Sequence, residues 1–107
     1  MTFGEFFQWL IQRRRRFKVG GDSMLPTLAP DDHVLVDPSA YGTAMPSSGD
    51  IVIARHPYQA VFVIKRIGRV EDSAVELVGD NPRSSTDSRI YGLIPVERVL
   101  GRVTSRI

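Results

Sequence analysis

Val61-Phe-Val-Ile-Lys-Arg-Ile-Gly-Arg-Val70 is the stretch that decides the fold. It is rich in β-branched residues and contains no proline, which is typical of a β-strand. Four further runs of this kind are separated by clusters of Pro, Gly, Asp and Ser, namely Val34–Val36, Ile51–Ile53, Val75–Val78 and Val99–Val103. The stretch from Asp37 to Gly49 lacks periodicity and is predicted to be a loop between two strands. The sequence therefore predicts a mostly β domain.

The N-terminal residues show helical periodicity instead. Thr2 and Glu5 have the spacing of a capping box, and the apolar residues of one helical face accompany them: Phe3, Phe6, Phe7, Leu10 and Ile11. A short amphipathic helix is therefore predicted over residues 2–12. We expect residues 1–17 to form this helix and a basic segment, and residues 18–107 to form the β domain.

The basic run Arg13 to Arg16 allows several interpretations. With the amphipathic helix it could lie on an anionic membrane surface, or it could bind an acidic partner or nucleic acid. The alternative is that the apolar face packs on the domain while the arginines are solvated. A single basic run does not define a nucleic-acid-binding protein, so nucleic acid is not the expected partner.

Composition narrows the class of protein. A chain of 107 residues with 42% hydrophobic and 24% charged residues fits one folded domain. The absence of cysteine excludes disulfides and a thiol nucleophile, and two histidines alone argue against a metal site, so no cofactor is predicted.

Residues 1–18 hold five basic residues and one acid, whereas the remainder holds nine basic and eleven acidic residues. No apolar run reaches the roughly 20 residues of a membrane span. We therefore predict a cytoplasmic protein, with peripheral membrane contact possible through residues 2–16.

Ser23 is the first candidate for chemistry. It lies in Gly21-Asp-Ser-Met-Leu-Pro-Thr-Leu28, where Gly21 permits close approach of the backbone to a ligand and Pro26 bends the chain. These features predict a sharp turn that presents the hydroxyl. Taken alone, an Asp-Ser pair beside a proline is more typical of an ordinary turn.

Lys65 is the second candidate, because strand alternation places it on one face with Val63 and Ile67. Burial disfavours the charged amine, and the pKa of a lysine must fall from about 10.4 towards 7 for the side chain to act as a base near neutral pH. The structural alternative is a lysine that marks a sheet edge or extends to water.

A polar segment from Gly79 to Arg89 supplies the third group of candidates. Ser85 could donate a hydrogen bond to a neutral lysine amine and orient it. Asp87 and Arg89 share one face of an extended chain, so a partly buried ion pair between them could hold the loop. The alternative is a solvated turn with a weak surface ion pair.

In this order, these segments resemble the motifs of the signal peptidase I family of Ser–Lys peptidases. The matching segments are Ser23 to Leu28, Gly49-Asp50, Lys65-Arg66, and Gly79 to Gly92. The resemblance implies a twisted antiparallel β fold or partial barrel, with Ser23 as nucleophile and Lys65 as general base. It further implies that residues at the nucleophile segment serve the oxyanion and substrate (Gly21, Asp22, Met24 and Pro26), and that others support the site (Asp80, Asn81, Ser85, Asp87 and Arg89).

The chain departs from secretory signal peptidases in lacking their N-terminal anchor and long insertions, and it has Gly21 where some members place an oxyanion hydroxyl. Its size and several further segments resemble the nickel-type superoxide dismutase maturation proteases, including Asp37-Pro-Ser-Ala-Tyr41, His56-Pro-Tyr-Gln59 and Leu100-Gly-Arg-Val-Thr-Ser105. That resemblance implies removal of the propeptide from a nickel superoxide dismutase precursor. In that case nickel belongs to the substrate.

Other functions remain open on the sequence. A Ser-His-Asp hydrolase could use Ser23, either His33 or His56, and either Asp80 or Asp87, although both histidines have simpler roles as turn or strand-start residues. General processing of other precursors is a second alternative. A third is a non-catalytic basic β module that binds an acidic partner or nucleic acid. A self-cleaving repressor also uses Ser and Lys, but its DNA-binding domain has no room in this chain.

Overall fold

The computed structural model describes residues 14–42, 44–83 and 92–107, which form one curled antiparallel sheet shaped as a half-barrel. Its seven strands are β1 Arg15–Lys18, β2 His33–Asp37, β3 Ile51–Arg55, β4 Phe62–Glu71, β5 Ala74–Val78, β6 Ile94–Pro95 and β7 Val99–Arg106. The spatial order is β1-β2-β7-β3-β4-β5-β6, and a short 3₁₀ helix, Val96–Arg98, precedes β7. The mostly β prediction is confirmed. The predicted helix over residues 2–12 lies outside the described residues.

Each of the five predicted apolar runs corresponds to a strand, with Val61 just before β4, whereas β1 and β6 were not anticipated. β1 consists of Arg-Arg-Phe-Lys, so it carries only one apolar side chain, and β6 is two residues long. Residues 15–17, which the sequence assigned to a segment ahead of the β domain, pair with β2. Two of the arginines contact the domain: Arg14 lies 3.4 Å from Asp37, and Arg16 Nε donates to His33 Nδ1 at 3.2 Å.

The sheet buries an apolar cluster on each side, and β3 contributes to both. Ile53 belongs to the first cluster, with Val19, Met24, Leu28, Val34 and Val36. Val52 and Ala54 belong to the second, with Ile67, Val75, Leu77 and Ile94. Successive side chains of a strand point to opposite faces, which explains this division. The first cluster includes Met24 and Leu28, so it anchors the segment that contains Ser23.

The predicted loop between β2 and β3 is closed by a polar contact at its base. The Tyr41 hydroxyl donates to Asp50 Oδ2 at 2.6 Å, and the Ser47 amide donates to the same oxygen at 3.1 Å. Burial, followed by the neighbouring Asp50 carboxylate, raises the pKa of Tyr41 well above its usual value. The Asp50 carbonyl accepts a bond from Ile67, so this contact ties the loop to β4.

Candidate active site

The Ser23 segment connects β1 to β2 and is held by backbone hydrogen bonds at both ends. The Val19 amide donates to the Asp32 carbonyl, and the Asp31 amide donates to the Val19 carbonyl, each at 2.8 Å. Met24 is 1% exposed, and its carbonyl accepts from the Leu28 amide at 2.9 Å. Ser23 itself is half-buried. Buried neighbours and backbone hydrogen bonds therefore fix the backbone position of Ser23.

Asn81 contacts the same turn from the segment after β5. Its backbone amide donates to the Ser23 carbonyl at 2.8 Å, and its side-chain Nδ2 donates to the Asp22 carbonyl at 3.1 Å. The side-chain oxygen accepts from the Arg83 amide at 3.2 Å, which fixes the orientation of the Asn81 carboxamide. Two successive carbonyls of the turn are therefore held by one residue.

Lys65 lies in the middle of β4, opposite Val52 of β3. It is 4% exposed and is the only buried polar or charged side chain among the residues that the structure describes. A buried amine loses the hydration that stabilises its charge, and this favours the neutral form that can accept a proton. The position therefore suits a lysine that acts as a base.

Ser23 and Lys65 line the same cleft, which has a volume of about 520 Å³. Most of the other lining residues are apolar or glycine, including Gly20, Gly21, Met24, Ile53 and Val63. The cleft thus combines a hydroxyl, an amine and a largely apolar wall. This combination can support proton transfer from an alcohol to an amine.

Behind the cleft, Arg66 forms a two-point contact with Asp80. Arg66 Nε donates to Asp80 Oδ1 at 2.9 Å, and Arg66 Nη2 donates to Oδ2 at 2.8 Å. The Thr27 hydroxyl donates to Oδ2 at 2.6 Å, and Arg66 Nη1 donates to the Gly49 carbonyl at 2.8 Å. These bonds connect β4 next to Lys65 with the Ser23 segment and with the start of β3.

The same contacts perturb both charged groups. The hydrogen bond from Arg66 is the main cause that lowers the pKa of Asp80, and the bond from Thr27 adds to it, while burial opposes the shift. The bond to Asp80 raises the pKa of Arg66, again against burial. Asp80 is one of the predicted supporting residues, whereas its partners Thr27 and Arg66 were not anticipated from the sequence. The sequence feature that could have indicated Arg66 is the alternation of side chains along β4, which turns Arg66 away from the face of Lys65.

The remaining predicted site residues divide into three groups. Gly21 and Met24 line the cleft, whereas Asp22 and Pro26 are absent from its lining. Asp22 instead contributes its carbonyl to the turn, and the Leu25–Pro26 bond is cis. Ser85, Asp87 and Arg89 lie outside the described residues, so their supporting role stays a prediction.

Neither histidine lines the cleft that contains Ser23. His56 Nδ1 accepts bonds from the Tyr58 and Gln59 amides at 3.0 and 3.1 Å, so it organises its own turn. His33 accepts from Arg16 on the neighbouring strand. These positions argue against the Ser-His-Asp alternative.

Within residues 14–42, 44–83 and 92–107, no group of three acidic or histidine side chains could hold a metal ion. Over the same ranges, no helix has the length and apolar character that a membrane crossing requires.

The half-barrel sheet and its cleft define a mostly β protein whose candidate active site contains a serine and a lysine. A family model described as Peptidase S24-like matches residues 13–103, and the chain belongs to this serine peptidase family.

The curated relatives include signal peptidases and organellar proteases. "Probable signal peptidase I-1" of Synechocystis sp. is 25% identical, over 82% of this chain and 68% of that protein. "Mitochondrial inner membrane protease subunit 1" of Xenopus tropicalis is 31% identical, over 81% of this chain and 65% of that protein. "Signal peptidase I" of Pseudomonas aeruginosa is 30% identical, over 79% of this chain and 33% of that protein. The chain spans about two thirds of the first two relatives and one third of the third.

Proposed function

We propose that this protein is a serine endopeptidase in which Ser23 is the nucleophile and Lys65 the general base. The observation that carries the proposal is the shared cleft, where a half-buried serine and a 4% exposed lysine are lining residues of one largely apolar space. Membership of the Peptidase S24-like family supports it.

In the proposed mechanism the neutral Lys65 amine accepts the proton of the Ser23 hydroxyl as Oγ attacks the scissile carbonyl carbon. The Ser23 backbone N–H donates to the developing oxyanion, and a second backbone donor is expected because Gly21 offers no hydroxyl. The Lys65 ammonium then protonates the departing amine, the C–N bond breaks, and an ester to Ser23 remains. Lys65 next takes a proton from water as the water oxygen attacks the ester carbonyl carbon. It returns that proton to Ser23 Oγ as the bond to the acyl group breaks and the carboxylic acid product leaves. No cofactor enters these steps.

The proposed substrate is an extended polypeptide that adds a strand beside the cleft, because a half-open sheet offers backbone groups for such pairing. We propose the precursor of a nickel superoxide dismutase, from which the enzyme removes the N-terminal propeptide. The segments that resemble maturation proteases of this type support that choice. The proposed location is the cytoplasm, with peripheral membrane contact through residues 2–16.

A second candidate function is general processing of other precursors. The relatives named as signal peptidases favour it. The two functions differ in substrate and share the same chemistry.

The test is mass spectrometry of a nickel superoxide dismutase precursor incubated with the protein. We expect two products from the wild type, and a loss of rate of at least about 10³-fold in Ser23→Ala and in Lys65→Met, since each removes a member of a unit that acts together. Ser105→Ala, an exposed serine of β7, is the matched control and should retain the wild-type rate.

Lys65→Met replaces a buried amine by an apolar side chain of similar volume, so the variant should stay folded. Circular dichroism melting checks this point. Cleavage at the wild-type rate by both Ser23→Ala and Lys65→Met would contradict the proposed roles of Ser23 and Lys65. Cleavage of other precursors but not of this one would select the second candidate.

A further inference from the structure

A second cavity lies beside the candidate active site, on the β3–β4 hairpin. Its volume is about 280 Å³, and its lining includes Arg55, His56, Gln59, Ala60 and Arg98. Two of these residues carry a positive charge, and among the described residues that line the cavity there is no carboxylate. The cavity is therefore a cationic space on the protein surface.

The two arginines lack the carboxylate partner that five other cations of the described residues have. Arg14, Lys18, Arg66, Arg69 and Arg106 each lie within 4 Å of a carboxylate. Within the described residues neither Arg55 nor Arg98 has such a partner. Their guanidinium groups are available to an anion, and a guanidinium matches the geometry of a carboxylate.

Arg98 is held in place by a hydrogen bond to the β3–β4 hairpin. It is half-buried at the end of the 3₁₀ helix, and its Nη1 donates to the His56 carbonyl at 3.2 Å. The His56 amide in turn donates to the Val61 carbonyl at 2.9 Å and closes the hairpin. A side chain fixed in this way loses less conformational entropy when it binds a ligand.

The cavity adjoins the serine–lysine cleft, because Val61 and Phe62 line both spaces. Arg55 lies opposite Phe62 in the register of β3 and β4, and Phe62 precedes Lys65 by three residues. Three strand residues span about 10 Å. A substrate strand that passes Lys65 and continues along β4 would bring a side chain about three residues from the scissile bond to the two arginines.

We propose that Arg55 and Arg98 form a binding site for an acidic side chain of the polypeptide substrate, on the hairpin side of the scissile bond. This site rests on the proposed function for its substrate, and its chemistry is that of an aspartate or glutamate carboxylate. It makes the enzyme selective for precursors with an acidic residue at that distance from the cleavage position.

The test measures binding of fluorescein-labelled, alanine-rich peptides to the full chain carrying Ser23→Ala, by fluorescence anisotropy. Each peptide has one Asp, moved through successive positions, and its matched control has Asn at the same place. We expect one Asp position to give a dissociation constant about fivefold lower than Asn, the scale of a solvent-accessible ion pair. The preference should weaken between about 0.1 M and about 1 M salt, as the Debye length falls from about 10 Å to about 3 Å.

Matched variants show which residues cause the preference for the Asp peptide. Arg55→Gln and Arg98→Gln, each added to Ser23→Ala, should abolish the preference for Asp and leave the affinity for the Asn peptide unchanged. Arg69→Gln makes the same change of charge at an exposed position on the far side of Lys65 and should keep the preference. Equal affinity for the Asp and Asn peptides, or equal loss in Arg69→Gln, would overturn the site.

Failure of the acidic-side-chain site can be distinguished from failure of the proposed peptidase function. If the wild type cleaves the precursor but no Asp position is preferred, the acidic-side-chain site is rejected and the peptidase stands. If the Asp preference is present and depends on both arginines while the wild type cleaves nothing, the site stands as a peptide-binding site and the peptidase proposal falls.

Discussion

At the scale of single residues, burial and hydrogen bonds distinguish the two neighbouring cations of the site. Lys65 is buried at 4% exposure, whereas Arg66, its neighbour in the chain, is paired with Asp80 through two hydrogen bonds. A lysine loses its proton far more readily than an arginine when it is desolvated, so the two cations suit opposite tasks. Lys65 is therefore the proposed proton acceptor, and Arg66 supports the structure through its contact with Asp80.

The Asp80 contact predicts how stability depends on pH. Because Arg66 and Thr27 lower the pKa of Asp80 in the folded state, the folded protein binds this proton less readily than the unfolded chain does. The stabilisation is therefore present above the unfolded pKa of about 3.9 and is lost as pH falls through the lower, folded pKa. Asp80→Asn should lower the free energy of unfolding at pH 7 by about 1–2 kcal/mol, since it weakens charge-assisted bonds that are partly exposed to water.

Urea denaturation at pH 7 and near pH 3 measures this difference. The gap between wild type and Asp80→Asn should narrow at the lower pH. Asp72→Asn, a positive-φ turn residue whose conformation asparagine also adopts, is the control and should show little change at either pH. A gap that widens on acidification would contradict the assigned role of Asp80.

At the scale of structural elements, the site requires three separate segments to meet. The segment between β1 and β2 supplies Ser23, β4 supplies Lys65, and the residues after β5 supply Asp80 and Asn81. Asn81 holds the nucleophile turn by two bonds, and Asp80 joins that turn to β4 through Thr27 and Arg66. The segment after β5 therefore acts as a brace between the two candidate catalytic groups.

Asn81→Ala tests the brace, because it removes the side-chain bonds to the Asp22 carbonyl and from the Arg83 amide and keeps the backbone bond to Ser23. Loss of the bond to Asp22, about 1 kcal/mol, should lower kcat by about fivefold. KM should change little, since Asn81 is absent from the lining of the cleft. Asn81→Ser, a shorter side chain that is still able to donate, should restore part of kcat. A rise in KM with kcat unchanged would show that Asn81 acts on substrate binding instead.

At the scale of the whole molecule, β7 joins the two halves of the sheet. It pairs with β2 on one side and β3 on the other, although it is the last strand in the chain. Both pairings contain a register shift, and Gly101, which is buried opposite Ile53, lies at the shift between β3 and β7. A Cβ atom at Gly101 would lie 2.7 Å from the Asp37 carbonyl oxygen and 2.7 Å from a Val36 methyl carbon. Close approach of the strands therefore requires glycine.

Gly101→Ala is expected to lower the free energy of unfolding by about 1–3 kcal/mol, because the extra methyl group forces β2 and β7 apart. Urea denaturation with a constant m-value is the measurement. Gly20→Ala is the control, since no atom lies within 4 Å of a Cβ at Gly20, and it should change the stability little. Equal stability of the two variants would show that the β2–β7 contact can relax.

The amino-acid sequence by itself determined the strands that carry long apolar runs, the loop between β2 and β3, and the two residues proposed for catalysis. The strands and the loop follow from local patterns, because β-branched alternation predicts a strand. Ser23 and Lys65 were chosen through the motif resemblance, since each alone fits an ordinary turn or a sheet edge. Only the tertiary structure decided that β1 and β6 complete the sheet, because their few apolar residues give no periodic signal. It also decided that Arg66, Asp80 and Thr27 meet, and that Arg55 and Arg98 share a cavity. Such pairs are far apart in the chain, and their proximity depends on how the strands are ordered in the sheet.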